Sequence, residues 1–340
     1  MNLWLRAESP VPNDLGLAIP GSLPFFEVLI VVGFILHIIF VNILVAGSVS
    51  AVFNEIQGIR KNNAVLDSLA FRLATQVSIV KSIAVVLGIA PLLIISTIYT
   101  QFFYPSTILI GKMWMALIPL LIIAFLSLYV YKFTWQRWKH RKGLHVSFGI
   151  LGSLILLFVP LLFITNVASM LQPDLWEPDR GFFGSLFAYP TIWQRYLHFM
   201  AASFTMLGMF IYWWGNRAER REPSPVTAEA KQYGKKLAAL FTVMQLVAGP
   251  LLLLSMDSRI RQAFMGGSLF HTGLLCVAIV LAIVLCVMLI RLVRQDSRAL
   301  FVRSVTLLLI VLSLMSWIRH EVRELYLQPY IQETPRTIKS

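Results

Sequence analysis

Six histidines punctuate a chain in which ionisable side chains are scarce: His37, His140, His145, His198, His271 and His320. Neutral imidazole is the commonest transition-metal ligand, and in helical bundles histidines from facing helices hold haem iron. Zinc instead needs three or four ligands converging on one point. His140 lies in a strongly basic stretch and reads as solvated, and His145 stands at the mouth of an apolar run. The other four sit inside apolar runs or at their ends, where ionisable groups are costly and face the interior of a bundle. The alternative chemistry is structural, each imidazole capping a helix or hydrogen-bonding its neighbour. The Cys-x-x-Cys-His signature of covalently attached haem is absent, and Cys276 and Cys286 both lie in one apolar run.

The elements that position these groups follow from composition. Of 340 residues, 58% are apolar and 13% charged, and the mean hydropathy is +0.75. Soluble domains are nearer a quarter charged, so a soluble enzyme, a disordered chain and a disulfide scaffold are excluded. A transmembrane helix needs about 20 mostly apolar residues. Eight segments qualify, about 26–53, 77–100, 108–133, 145–171, 191–215, 235–256, 266–290 and 301–319. Their runs are continuous rather than alternating, which excludes a β-barrel. The fold class expected is an all-α integral membrane protein, a bundle of about eight transmembrane helices forming one domain over 26–320. Residues 1–25, rich in proline, are expected as an external lead-in along the membrane surface, and 321–340 as an external tail. The polar segment 54–76 is long enough for a short interfacial helix. No cleavable signal peptide is expected, and Trp135, Trp138, Trp193, Trp213 and Trp214 read as interfacial belts.

Charge orients the bundle. The net charge of +13 raises nucleic acid as a partner, but the basic residues sit in short loops between apolar runs, so no nucleic-acid role is expected. Eighteen of the 29 lie in the loops joining spans 1–2, 3–4, 5–6 and 7–8. By the positive-inside rule both termini then face outward, to the periplasmic side of a bacterial inner membrane. His37 in span 1, His198 in span 5, His271 opening span 7 and His320 closing span 8 therefore share the outer half. His37 lies roughly 15 Å deep at about 1.5 Å per residue. His198 and His271 are expected to form a bis-histidine pair on one haem, with His37 and His320, or Glu321, holding one or two more. Arg195, Arg259, Arg261, Arg319 and Arg323 are placed to pair with haem propionates, an acidic partner or lipid headgroups. Pro91, Pro119, Pro160 and Pro250 fall inside spans and are expected to kink them or open carbonyls.

The histidine-bearing segments resemble the large haem-binding subunit of cytochrome bd quinol oxidase. Span 1, FFEVLIVVGFILHIIFVNILVAGSVSAVFNEI, is similar to that family's first helix in His37, Phe40, Val41 and Glu55. ITNVASMLQPD resembles the end of its fourth span, RYLHFMAASFTMLG its fifth, SLFHTGLL its seventh and SWIRHEVRELY its last. The resemblance implies His37 as axial ligand in the paired high-spin site and His198 as ligand of the low-spin haem. His271 stands where the family has an axial methionine, and Glu321 matches the ligating glutamate, with His320 adjacent.

The departures bear on function. Residues 113–131, MWMALIPLLIIAFLSLYVY, contain no acid where the family's third span carries glutamates, and the quinol-binding loop shrinks to SMDSRIRQAFMGG. A histidine replacing methionine lowers a haem's potential. The expected function is a haem b subunit of a respiratory complex, carrying electrons between the quinone pool and an external c-type cytochrome, alongside other membrane subunits. One to three haems b are expected, with quinone or quinol and the lipid bilayer as further partners. The alternatives are a quinol oxidase that reduces oxygen, and a haem-free scaffold or transporter.

Overall fold

The computed structural model describes residues 9–14, 19 and 21–333. The remainder of the lead-in (1–8, 15–18 and 20) and residues 334–340 of the expected tail lie outside the described residues. Helices account for nearly all of the rest: α1 Leu23–Arg60, α2 Ala64–Ile98, α3 Thr100–Leu109, α4 Gly111–Phe133, α5 Lys142–Leu171, α6 Gly181–Ala188, α7 Ile192–Glu219, α8 Pro225–Leu254, α9 Ser258–Gln262, α10 Leu269–Arg294 and α11 Arg298–Glu333. Eight of them (α1, α2, α4, α5, α7, α8, α10 and α11) are long and apolar enough to cross a bilayer. All eight expected spans are present. Large apolar side chains such as Val86, Leu93, Ile118 and Val280 stand exposed on their outer faces, as lipid-facing residues do.

Several helices run beyond the apolar segments. The polar stretch 54–76 is no interfacial helix: α1 continues to Arg60, and α2 starts at Ala64. Asn62 turns the chain at φ 50°, and the Asn63 side chain caps α2 by accepting from the Val65 and Leu66 amides, a strong N-cap role for asparagine. At the other end α11 carries on past His320, and Val322, Tyr326 and Leu327 are buried against the bundle. The helices also continue through Pro91, Pro119, Pro160 and Pro250. Trp135 departs from the interfacial reading. It is 3% exposed, and its ring meets Tyr131, Phe71 and His145.

Two pairs set the frame. α1 packs along α2, and α7 along α8. The second pair is very close. A Cβ on Gly208 would lie 2.5 Å from the Ala238 nitrogen, and one on Gly234 would lie 2.7 Å from the Gly208 oxygen. Small residues let membrane helices approach in this way, where lipid supplies no hydrophobic drive for association. Packing then runs α1–α7–α8–α10–α11 and back to α1, closing a ring of five helices, with α5 outside it against α1 and α4 against α5 and α2. At the end distant from the termini, apolar side chains fill the ring. Met209, Tyr212, Ala238, Leu285, Leu289 and Leu292 form one cluster with Phe301 and Val305. Towards the termini end Val31, Ile98, Phe264, Val322 and Leu327 form another apolar cluster, which the buried His320 and Arg323 join.

Candidate functional site

The termini half of the ring gathers Arg195 and His198 from α7, His271 from α10, and Arg319, His320, Glu321 and Arg323 from α11. His37 of α1 is held on the α2 side. The arginines come close enough to one another for Arg319 to sense the charge of both Arg195 and Arg323. Thr191 opens α7 in the left-handed region, φ 70°, and its Oγ1 accepts the Arg195 Nε–H at 2.8 Å. Arg195 Nη2 is buried with no hydrogen-bond partner. The Arg319 guanidinium lies 4.1 Å from the Phe34 ring centre, and Arg323 lies 4.4 Å from that of Tyr99. Arg323 reaches Glu324 only at 3.8 Å. Among the described residues, neither Arg195 nor Arg319 has a carboxylate partner. Half-buried cations without acids can serve as a site for an anion.

Each histidine is defined by what its two nitrogens meet. His37 Nδ1 faces the Ala84 carbonyl at 2.9 Å. A carbonyl only accepts, so Nδ1 carries the proton and the ring's lone pair is on Nε2. That is the state of a metal-ligating imidazole, oriented through its other nitrogen. Gly88 makes the room, since a Cβ there would stand 2.7 Å from His37 Cε1. His198 Nδ1 is buried with no partner and looks on to Gly249 of α8, whose missing Cβ would be 3.9 Å away. The other two are engaged. His271 Nε2 faces Glu321 Oε2 at 3.2 Å and Nδ1 faces Ser268 Oγ at 2.8 Å. His320 Nδ1 accepts from Arg323 Nη2 at 2.7 Å, which uses the lone pair at that nitrogen.

The structure thus joins His271 to Glu321 and His320 to Arg323, and sets Arg319 near Arg195 and Arg323, while among the described residues no hydrogen bond or ring contact joins His198 to His271. Arg259 and Arg261 stand apart from these groups, donating to the Leu325 and Leu254 carbonyls. A narrow cleft of about 10 Å³ between α1 and α11 is lined by Phe34, Ser316, Arg319, His320 and Arg323. A larger cavity of about 610 Å³ opens at the termini end among Gln172, Asp174, Asp257, Arg259, Tyr326 and Tyr330. Among the described residues no three of His, Cys, Asp and Glu gather as a bare metal ion requires. A haem iron needs only one or two axial ligands. The open nitrogens of His37 and His198, with the uncompensated guanidiniums, fit that group.

One polar cluster escapes the sequence reading. His145 is fully buried at the other end of the bundle, with Nδ1 2.8 Å from Glu55 Oε1 and Nε2 2.7 Å from the Tyr131 carbonyl. Lys142 bridges Glu55 and Asp67 at 3.0 and 2.7 Å. The signal was present in Glu55, an acid within an apolar helix, but its partners lie far along the chain.

Comparison with protein-family models gives no match, and neither does comparison with curated proteins. Among solved structures, the fold is similar to a chain of the bd oxidase from Geobacillus thermodenitrificans, with a TM-score of 0.68 and 15% identity over 93% of this chain and 89% of that one. The likeness is one of fold and assigns no subunit.

Proposed function

We propose that this chain is a haem b-holding membrane subunit of a respiratory complex, passing electrons between the quinone pool and a redox partner outside the membrane. The observation that carries the reading is His198: a half-buried imidazole whose Nδ1 is buried and unpartnered, one helical turn from Arg195, a half-buried guanidinium that no carboxylate balances. Haem supplies one-electron chemistry and brings two propionates. His198 and His37 are the proposed ligands. His271, across the ring, completes the His198 site by exchanging its Glu321 contact, and Glu321 or His320 serves a further haem. The arginines orient and neutralise propionates, and the surrounding apolar helices exclude water. The basic loops support an outer location for this site, with the termini facing away from the cytoplasm.

The test is the pyridine haemochrome assay on purified protein, with a reduced-minus-oxidised spectrum. We expect haem b, and loss of its low-spin component in His198→Ala. Protein without haem, or an unchanged His198→Ala spectrum, overturns the reading. The second reading, a quinol oxidase that reduces oxygen, is favoured by the fold shared with a bd oxidase. Oxygen consumption by the purified complex separates the two.

A further inference from the structure

Glu55 is the one acid among the described residues that is buried, at 0% exposure, and His145 beside it is also at 0%. Every charged or titratable neighbour given by the packed helices can be named: Asp67 on α2, Tyr131 on α4, Lys142 and His145 on α5, and Tyr233 of α8 against the adjacent Ser50 and Asn54. The proton count then follows from the partners. His145 Nε2 faces a carbonyl, so it must be an N–H donor. Its Nδ1 meets Glu55 Oε1 at 2.8 Å, and two bare acceptors would repel at that distance. A further proton is therefore held between Oε1 and Nδ1. With it, Glu55, Asp67, Lys142 and His145 sum to zero charge, the condition under which buried ions persist.

The cluster also has a vacancy and a way in. Glu55 Oε2 and the Tyr131 hydroxyl are both buried and neither makes a well-formed hydrogen bond, although Tyr131 lies close enough to Glu55 to feel its charge and to donate to it, so the second carboxylate oxygen keeps a lone pair for a proton. The Lys142 and Asp67 side chains are 24% and 33% exposed, which brings the cluster to water at the end of the bundle distant from the termini. Beyond Glu55, α1 also buries Asn54, Ser50, Ser48 and Asn42, of which Asn54 and Ser48 donate to their own helix backbone and Asn42 accepts from Ser203 of α7, as small polar residues do between membrane helices.

We propose that Glu55 and His145 form a proton-loading site, filled from the aqueous phase at that end through Asp67 and Lys142. In loading, Lys142 gives a proton to the Glu55 carboxylate and is reprotonated from Asp67, which takes one from water. One proton leaves the solvent, Glu55 becomes a carboxylic acid, the shared proton rests on His145 Nδ1, and the cluster passes from zero charge to +1, which water at the exposed Lys142 and Asp67 side chains solvates. The inference is independent of haem.

The experiment is pH-difference infrared spectroscopy on the purified full-length protein. We expect a protonated-carboxyl band that grows as pH falls, shifts in D2O, moves on labelling glutamate with carbon-13 at the side-chain carboxyl, and is lost in Glu55→Gln. In Asp67→Asn the band stays and its deuterium exchange slows severalfold. The labelled wild type keeps the test decisive where the Glu55 variant fails to fold. A wild type without a glutamate carboxyl band, or a band unchanged in Glu55→Gln, overturns the site. Unslowed exchange in Asp67→Asn overturns the route. Protein that shows the band but lacks haem counts against the haem reading alone.

Discussion

The imidazole of His37 on α1 is fixed by the backbone carbonyl of Ala84 on α2, with Nδ1 donating at 2.9 Å. One turn further along α2, Gly88 leaves the space in which the ring sits. Carbonyl and glycine together decide both tautomer and direction, leaving the Nε2 lone pair for a ligand. In Gly88→Ala the added methyl lies within 2.7 Å of Cε1, so the ring must leave the Ala84 carbonyl. Overpacking of this kind costs about 1–3 kcal/mol. We expect a lower thermal midpoint together with a lower haem-to-protein ratio. A variant with both quantities unchanged would show that His37 has no such confinement.

That confinement marks the limit of what the sequence discloses. Eight apolar runs and four histidines within or at the ends of them are legible because hydropathy and spacing are local properties of the chain. Which nitrogen of each histidine is committed is not, because the partners come from elsewhere: Ala84 for His37, Glu321 for His271, Tyr131 and Glu55 for His145. The extent of α1 and α11 was underread for a related reason. Their polar ends look like loop or tail in composition, yet the helical hydrogen bonds continue past the apolar segment. Trp135 reads as interfacial by type, and only packing against Tyr131 and His145 turns it inward.

The α7–α8 contact is the tightest in the bundle, and α7 carries Arg195 and His198. Gly208→Ala would set a methyl 2.5 Å from the Ala238 nitrogen and 2.6 Å from the Gly234 oxygen. Both are backbone atoms, so no rotamer change relieves the clash and the helices must part. The expected loss is at the upper end of the overpacking range, about 3 kcal/mol, seen as reduced yield of folded protein in detergent and an earlier thermal transition. Gly273→Ala is the control: nothing lies within 4 Å of the added carbon, and its melt should match the wild type. Equal melts for the two variants would discount the close contact.

Between α10 and α11, Asp296 ties the membrane helices together by accepting from Lys231 Nζ of α8 at 2.6 Å and from the Tyr212 hydroxyl of α7. Burial alone would raise its pKa, but the Lys231 and Tyr212 hydrogen bonds outweigh it and the value falls below the ordinary aspartate range. Stability from a depressed carboxyl is fully present above the unfolded value, about 3.9, and is lost as pH falls through the folded one. The side chain is 42% exposed, so solvent screening limits the contribution to about 1 kcal/mol or less. Asp296→Asn should therefore melt slightly below wild type at neutral pH, and the gap should close as pH is lowered through roughly 4 to 3. A gap constant over that range would remove the ion pair as its cause.

Thr191 sets local stability against the site. It is a β-branched residue held at φ 70°, a conformation that costs an L-residue roughly 1–2 kcal/mol and that glycine adopts without strain. The same conformation points its hydroxyl at Arg195 Nε, 2.8 Å away. Strain retained beside a functional group is strain the surrounding structure has reason to enforce. Thr191→Gly relieves the backbone and removes the acceptor, so the two effects separate. We expect the thermal midpoint of the haem-free protein to hold or rise, while the haem proposed beside Arg195 is retained less well and its reduction potential shifts. Thr191→Ser, which keeps the hydroxyl, should restore retention and potential towards wild type. If the glycine variant binds haem with an unchanged potential, the hydroxyl does no more than cap the start of α7, and Arg195 is positioned by other means.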